Sequence, residues 1–472
     1  MKPLVYVIVI NWNGIDHLPS CLGSLARLSY GNARVVLVDN ASTDGSRDYV
    51  RTHFPEVTLI ENRTNAGFAA GNNRGMAYAM EQGAEFIALL NNDMEVDPDW
   101  ITALVDAAGE DASVGACAPT LLYFHNRDIV QGIGVCLNRI ALTWDCLNGR
   151  YDTPELAVAP EVIAACGGAF FVRAAALRDA GLFDPAYFIY LEDVDLSLRI
   201  RARGYRIITA PAARAYHKAS ATMRENSPRK NYLTLRNRIM LILKCFPAPM
   251  IPGALAGTLR WECGVARANY WRGDSRLIAT QARAILAALL RLPRLIAARR
   301  RLGPMTHERV WRLLNPDTAP PRVRLPSPPA AGWDRPAETE IALGSPGARL
   351  GPGWYLMYDA GDRDYRRFAR EASLALRMPR GAEASLRITV GNDHAALKRI
   401  GLRVFAGGGE IGRVTPGSGW NVYTFPLVNA GPGPVTVTLK ADDLYRAEST
   451  GEPTDLSFKV RAAGLRAPGD TR

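Results

Sequence analysis

Three short polar signals stand between residues 91 and 217: Asn91-Asn92-Asp93, Glu192-Asp193-Val194-Asp195 and His217. Oxygen ligands of the first kind suit a hard divalent cation such as Mg2+ or Mn2+, and an imidazole can complete the shell. A cation held there offsets negative charge on a departing diphosphate. A carboxylate of the second signal can take the proton of an attacking hydroxyl if it lies within hydrogen-bond reach. Each signal also has a plainer reading. Asn91-Asn92-Asp93 has the composition of a strand-end turn. Asp193 or Asp195 can cap the helix that follows, although a cap also fixes a carboxylate in place. A lone histidine is more often packed or solvated than a ligand. What separates these readings is whether the fold brings the three together.

The elements around them predict that it does. Leu4–Ile10 is a continuous apolar run, as in a strand buried on both faces. Leu18, Leu22 and Leu25 follow at helical spacing, and Arg34–Val38 is a second buried strand ending at Asp39. Asp44–Val50 reads as a helix capped by Asp44, Val57–Ile60 as a strand, Gly71–Gly83 as a helix, and Phe86–Leu90 as a strand running into Asn91. Alternation of this kind predicts a mostly parallel sheet with helices on both faces. Ligands of such sheets lie beyond the carboxyl ends of the strands, where Asn11, Asn13, Asp39, Asn40, Asn65 and Asn91 to Asp93 fall. A later strand around Arg206–Ala210 leads toward His217.

Charge and composition bound the rest. The net charge of +11 is uneven: residues 229–312 hold 17 Lys/Arg against three acids, about +14, which leaves the remainder near −3. The segment reads as helices. Ile285, Leu286, Leu289, Leu290, Leu292, Leu295 and Ile296 form an apolar face ringed by arginines. That suits either an interfacial helix on anionic headgroups or a packing helix with a solvated basic face. Nucleic acid is the poorer partner. Seven cysteines without a Cys-x-x-Cys pair point to a reducing compartment, and so to a cytoplasmic protein. Neither a signal peptide nor a spanning segment is read; the apolar stretch at 246–259 is broken by three prolines. Residues 315–336 hold seven prolines and predict an extended linker. Beyond it the apolar pattern changes to period two, as in Leu386/Ile388/Val390 and Leu402/Val404, which predicts an antiparallel β-sandwich. The expected domains are therefore 1–228, 229–314, the linker 315–336, and 337–472.

Motif by motif, residues 3 to 245 resemble glycosyltransferase family 2. The resemblance is carried by Val9-Ile10-Asn11-Trp12-Asn13-Gly14, Val38-Asp39-Asn40-Ala41-Ser42-Thr43-Asp44-Gly45, and Asn65-Ala66-Gly67-Phe68-Ala69-Ala70-Gly71-Asn72-Asn73. Leu89-Leu90-Asn91-Asn92-Asp93, Gly167-Gly168-Ala169-Phe170 and Gly181-Leu182-Phe183-Asp184, leading into Glu192-Asp193, complete it. Within the family the chain is most similar to the rhamnosyltransferase type. The resemblance implies a GT-A fold, α/β and Rossmann-like, and an inverting transfer from a dTDP- or UDP-sugar to a glycan or lipid-linked acceptor of the cell envelope.

It also implies roles. Asp39 would contact the pyrimidine, with Asn11, Asn13, Asn40, Asn65, Asn72 and Asn92 along the nucleotide cleft. Asp93, Asn91 and His217 would hold Mg2+ or Mn2+. Asp193 would be the general base, and Glu192 an acceptor or sugar contact. Asn91 stands where the family's metal motif usually begins with aspartate, which shifts the metal's charge balance onto Asp93, His217 and the diphosphate. The terminal module resembles carbohydrate-binding sandwiches through Gly353-Trp354-Tyr355 and Gly419-Trp420-Asn421-Val422-Tyr423.

Other classes lack their residues. There is no G-x-G-x-x-G after the first strand and no G-x-S-x-G nucleophile turn. Gly257 stands where a processive synthase would place the glutamine of Gln-x-x-Arg-Trp. The alternative of a different class is a catalytically silent, glycan-binding scaffold.

Overall fold

The computed structural model describes residues 2–302 apart from 110, 125, 151, 153–160, 219–226 and 272–274, then residues 311–315 and, beyond 339, residue 415 and the strands given below. The chain divides into two units, one of Met1–Phe124, Val130–Asn148 and Asp152–Pro321, the other of His125–Ile129, Gly149–Tyr151 and Arg322–Arg472.

In the first unit, in chain order, the strands and helices are β1 (Val5–Asn11), α1 (Leu18–Leu25), β2 (Ala33–Asp39), α2 (Ser46–His53), β3 (Thr58–Glu61), α3 (Gly67–Glu81), β4 (Phe86–Asn91), β5 (Met94–Val96) and α4 (Trp100–Ala108). Then come β6 (Val114–Tyr123), β7 (Asn126–Ile133), which runs across the division, β8 (Val135–Leu137), β9 (Thr143–Asp145), β10 (Ala169–Arg173), α5 (Ala174–Ala180), α6 (Glu192–Ala202) and β11 (Arg206–His217). Helices α7 (Pro228–Cys245), α8 (Ile251–Trp271), α9 (Ser275–Leu289) and α10 (Leu292–Leu302) follow.

The main sheet runs β3-β2-β1-β4-β10-β6-β11-β5. Strands β1, β2, β3 and β4 pair in parallel, as does β6 with β11. β10 lies antiparallel between β4 and β6, and β5 antiparallel to β11. The sheet is therefore mixed α/β, not mostly parallel throughout. The first four strands follow the predicted alternation; the later ones enter through the Gly167-Gly168 turn and a long β11, which simple strand–helix alternation does not describe. The uniformly apolar strands split between two cores. Val5, Val7 and Val9 face α1 and α4, packed with Leu18, Leu22 and Trp100. Tyr6 and Ile8 face the other way, with Met76, Leu177 and Leu196.

Helix α2 starts at Ser46, with Gly45 in the left-handed region (φ 88°) at its cap. Asp44, the predicted cap, instead ties two loops, accepting from the Ser46 amide at 3.0 Å and the Ile15 amide at 2.9 Å. Burial pushes its carboxyl up, but these bonds outweigh it and leave the group below its ordinary value.

The basic helices are not simply solvated. Arg236, Arg238 and Lys244 of α7 are buried. On α9 the buried positions are Gln281, Ala284 and Ala288, while Leu286, Leu289 and Leu290 are 57%, 52% and 73% exposed. Leu295 of the predicted apolar face is buried and Ile296 exposed. The small residues pack inward because α7 and α9 approach closely, which leaves large side chains outside.

Cys136 and Cys146 form a disulfide across the β8–β9 hairpin, with Cα atoms 5.3 Å apart. This departs from the all-thiol reading, since a pairing ten residues apart carries no sequence signature. Among the described residues no helix is long and apolar enough to cross a membrane.

Among its described residues the second unit holds two larger antiparallel sheets and the short antiparallel pair Tyr445–Arg446 with Asp455–Leu456. One orders Glu340–Ala342, Lys459–Arg466, Ala384–Asn392 and Gly419–Leu427, and Arg366–Arg367 also pairs with Lys459–Arg466. The other orders Glu371–Arg377, Pro434–Ala441, Leu402–Ala406 and Gly409–Val414. Leu386, Ile388, Leu402 and Val404 are buried, in line with the period-two pattern. Trp354 and Tyr355 lie outside the described residues, as does nearly all of the proline-rich 315–336 segment.

Candidate active site

The carboxyl ends of β1, β2 and β4 meet in a closed polar network. Asn11 donates to Asp39 Oδ2 and to Ser42 Oγ, both at 3.1 Å, and Ser42 N donates to Asp39 Oδ1 at 2.8 Å. Asn92 donates to Asn11 Oδ1 at 2.7 Å, which joins β4 to β1. Asn13 sits at φ 49°, a conformation asparagine tolerates, and its Oδ1 accepts from Thr43 N at 2.8 Å. A Cβ at Gly14 would stand 2.1 Å from Asn92 Nδ2 and 2.6 Å from Asn11 Oδ1, so any larger residue would push apart the Asn92–Asn11 bond. Asn65 accepts from Gly67 N at 2.9 Å. Asn40 donates to the Gly67 carbonyl and accepts from Asn62. Asn72 donates to the Phe68 carbonyl one turn earlier in its own helix. The side chains of Asn40 and Asn72 are thus spent on local structure.

Opposite this network lies a cavity of about 1030 Å³ whose wall includes Asn91, Gln131, Asp145, Glu192, Asp193 and His217. None of Asn11, Asn13, Asp39, Asn40, Asn65, Asn72 or Asn92 lines it, and Asp93 reaches it only through a neighbour. His217, at the end of β11, brings Nε2 to 3.3 Å from Asp93 Oδ2, while its Nδ1 lies 2.8 Å from Gln131 Oε1. Register explains the meeting: β11 pairs His217 with Met94, next to Asp93. Burial pulls the imidazole pKa down, but Asp93 and then Asp145 outweigh it and hold it above its ordinary value.

With Nδ1–H donated to Gln131, Nε2 turns a lone pair toward a carboxylate oxygen. That arrangement needs a second proton or a shared cation. Two ligands 3.3 Å apart fit one edge of a shell with bonds near 2.1 Å, where right-angle neighbours stand about 3 Å apart. Asn91 Oδ1 is buried and accepts no hydrogen bond among the described residues. No group of three or more His, Cys, Asp or Glu there forms a cage by itself. The residues therefore fit a cation that takes much of its shell from a bound diphosphate.

The carboxylates come from a strained segment. Phe188, Tyr190 and Leu191 have φ of 66°, 75° and 67°, each costing about 1–3 kcal/mol unless the surroundings enforce it. The enforcement comes from α7. Buried Asn237 points its amide at the carbonyls of Tyr187, Ile189 and Tyr190 at 3.0, 2.9 and 2.8 Å, and Arg236 donates to those of Ala186 and Tyr187.

The segment delivers Asp193 against the Gly167-Gly168 turn, where Gly167 N donates to Asp193 Oδ2 at 2.7 Å and Val194 N to Oδ1 at 2.8 Å. Burial raises the pKa of Asp193, and these amide bonds temper the rise. Glu192 is raised further, first by burial and then by Asp193, and its Oε2 has no partner among the described residues. Burial thus pushes both carboxyls up, and only Asp193 has backbone amides that favour its charged form at the Gly167 turn. Asp195 faces away. Fully buried, it binds Arg199 Nε at 2.9 Å and Lys244 Nζ at 2.8 Å and accepts from Tyr187 Oη. Neither aspartate is a conventional cap: the cap position of α6 is Leu191, with no side-chain cap bond.

Sequence reading missed two residues here. Asp145, on β9, is pushed up to about 6 by burial, against the pull of His217 and Gln131. Only its place beside Trp144 in an irregular segment marked it, which is no signal. Asn237 lies in the basic helical segment, where nothing in the sequence sets it apart.

Comparisons with known proteins bear on the first half of the chain. Residues 6–176 match the family described as Glycosyl transferase family 2. The N-acetylglucosaminyl-diphospho-decaprenol L-rhamnosyltransferase of Mycobacterium tuberculosis is 28% identical over 248 residues, which is 48% of this chain and 80% of that protein. The O-antigen biosynthesis protein RfbC of Myxococcus xanthus is 28% identical over 241 residues, 49% of this chain but 18% of that longer protein. Among solved structures, GalNAc-T7 with UDP, GalNAc and Mn2+ aligns over 52% of this chain and 48% of its own, at 18% identity and TM-score 0.42, too low a likeness to argue from. On sequence alone, then, residues 6–176 match glycosyltransferase family 2, and about half of the chain is similar to glycosyltransferases of polysaccharide synthesis.

Proposed function

We propose that the chain is an inverting, metal-dependent transferase of GT-A architecture. In this reading it moves a sugar from a pyrimidine-diphosphate donor to a glycan or lipid-linked acceptor in cell-surface polysaccharide synthesis. The observation that carries the reading is that Asp193, His217 and Asn91 line one cavity, with Asp93 paired to His217. Asp193 receives the acceptor proton as the hydroxyl attacks the anomeric carbon, within reach of the cavity and held by two backbone amides. Glu192, kept neutral, donates a hydrogen bond to a substrate oxygen and leaves Asp193 the only anion of the pair. Asp93, His217 and Asn91 would hold Mg2+ or Mn2+, which would offset charge on the leaving diphosphate. The network of Asn11, Asp39 and Asn92 would shape the nucleotide end.

The name of the mycobacterial relative favours rhamnose as the sugar moved and a diphospho-lipid sugar as acceptor, with deoxythymidine diphosphate the nucleotide of this reading. Exposed Leu286, Leu289, Leu290 and Ile296 beside exposed Arg283, Arg294, Arg300 and Arg301 suit peripheral contact with the inner face of the cell membrane. In this reading residues 1–228 are catalytic, 229–314 brace them and face the lipid, 315–336 link, and 337–472 form a carbohydrate-binding β-sandwich.

Calorimetry of UDP and dTDP with and without Mn2+, paired with transfer assays, tests the core of the proposal. Nucleotide binding that needs the cation and weakens in Asp93→Ala is expected. Binding indifferent to both would remove the metal role.

A further inference from the structure

The cavity does not stop at the reacting groups. Its wall continues along α7 from Lys230 through Thr234 to Arg238, about 12 Å of helix, and ends against Trp261 and Glu262 of α8 and Gln281 of α9. Nothing in the proposed chemistry uses this end.

Its polar groups are buried and incompletely satisfied. Arg238 Nη2 donates to Glu262 Oε1, and Gln281 Nε2 donates to Glu262 Oε2 at 2.6 Å and to the Glu262 carbonyl at 3.2 Å. These bonds leave Arg238 Nε, a donor, and Gln281 Oε1, an acceptor, buried without a partner among the described residues. Arg238 and Gln281 are only 6% and 8% exposed, so each orphan atom stays desolvated until something meets it.

The pattern selects the ligand's chemistry. The charges of Arg238 and Glu262 cancel, so the end of the cavity does not call for an ion. A phosphate or carboxylate can accept from Arg238 Nε but cannot donate to Gln281 Oε1; an ammonium has the opposite defect. A hydroxyl does both. Trp261, half-buried on the same wall, offers an aromatic surface to the apolar face of a ring.

We propose that Trp261, Arg238 and Gln281 form an acceptor subsite for a neutral sugar ring, set back from the hydroxyl that reacts. The proposal rests on the transferase reading above and adds to it where the acceptor lies. It makes the α7–α9 helices part of specificity and not only a brace.

Methyl glycosides of glucose, galactose, mannose, N-acetylglucosamine and rhamnose are titrated into the full chain with saturating UDP or dTDP and Mn2+. Ligand saturation transfer is observed by NMR. At least one glycoside should bind together with the nucleotide. Trp261→Phe and the near-isosteric Gln281→Met should each weaken it at least tenfold while nucleotide affinity stays within twofold and the thermal melt is preserved. A cavity end that takes only water would show no glycoside beside the nucleotide, or binding indifferent to both substitutions, and either result overturns the subsite. If neither nucleotide binds the unaltered chain, the donor reading falls instead, and calorimetry reports that separately.

Discussion

The two sides of the reaction centre are built on opposite terms. At the ends of β1, β2 and β4, the side chains of Asn11, Asp39, Ser42 and Asn92 satisfy one another at 2.7 to 3.1 Å, and Asp39 is wholly buried. The cavity beside it is lined or approached by three left-handed non-glycine residues, two carboxyls raised by burial, and polar atoms of Asn91, Glu192, Arg238 and Gln281 without a partner among the described residues. A satisfied network is stiff and locally stable, whereas unsatisfied groups and strain persist only where the surrounding structure enforces them and a ligand can use them. The first side is a frame. The second is where chemistry should fail first when a single atom changes.

Asp193→Asn should give the largest effect. Losing a positioned base costs about 10²- to 10⁴-fold in rate. Asparagine keeps an oxygen for the Gly167 amide, so nucleotide affinity should hold within twofold; substantial retained turnover would remove Asp193 as the base. The pH profile sharpens the point. Burial raises the Asp193 pKa, and the base works only when ionised. The rate should therefore fall with decreasing pH through a value above the ordinary carboxylate range. An acidic limb at or below that range would mean the group is not shielded as described.

Asp195→Asn should leave the chemistry's atoms in place and break the fold that holds them. Removing one partner of a buried ion pair costs about 3–5 kcal/mol, here because Arg199 and Lys244 lose their counter-charge. Burial raises the Asp195 carboxyl pKa, but Arg199 and Lys244 outweigh it and hold the group low. Its contribution is thus fully present above the unfolded carboxylate range and lost as pH falls through the lower folded value. Denaturant melts should show the wild-type advantage over the variant at pH 7 shrinking only in strong acid. An advantage that disappears already at pH 5 would contradict the depressed pKa.

Asn237→Ala should fall between these. It removes the donor that faces three carbonyls of the strained segment, a loss of about 1–3 kcal/mol. If Asn237 positions Asp193, kcat should drop tens-fold with little change in nucleotide affinity, and Asn237→Gln should restore none of it because its amide sits one methylene too far. Equal losses in stability and nucleotide binding, with kcat preserved, would make it a packing residue only.

How much of this was legible follows the same divide. The frame could be read from apolar runs that end in Asn and Asp, because parallel strands buried on both faces leave polar residues only at their tips. The pairing of His217 with Asp93 required a strand longer than its apolar pattern: β11 runs twelve residues through Pro211 and a register shift at Ala210 to Arg214. Asp145 and the Cys136–Cys146 bond sit on short strands with no periodic signal. On helix α9 the large leucines point outward and the alanines inward, so hydrophobicity alone did not say which face packs. The burial of Arg238 and Lys244 was not legible either: charge implies solvent unless a buried partner distant in sequence, Glu262 or Asp195, is already known.

The smallest effect is expected at Asn72, and it separates the two sides most directly. Like Asn237, it is a buried asparagine amide on a helix, yet its donor goes to the Phe68 carbonyl four residues back. That carbonyl lies in the first turn of α3 and keeps a helical partner of its own once the side chain is gone. Alanine also gains roughly 0.5 kcal/mol in helix propensity over asparagine, which offsets part of the lost bond. Asn72→Ala should therefore cost no more than about 1 kcal/mol in a denaturant melt and leave nucleotide affinity unchanged. A variant that keeps its stability but binds UDP or dTDP ten times more weakly would mean that Asn72 turns toward the nucleotide when it binds, and that the frame opens as readily as the side opposite.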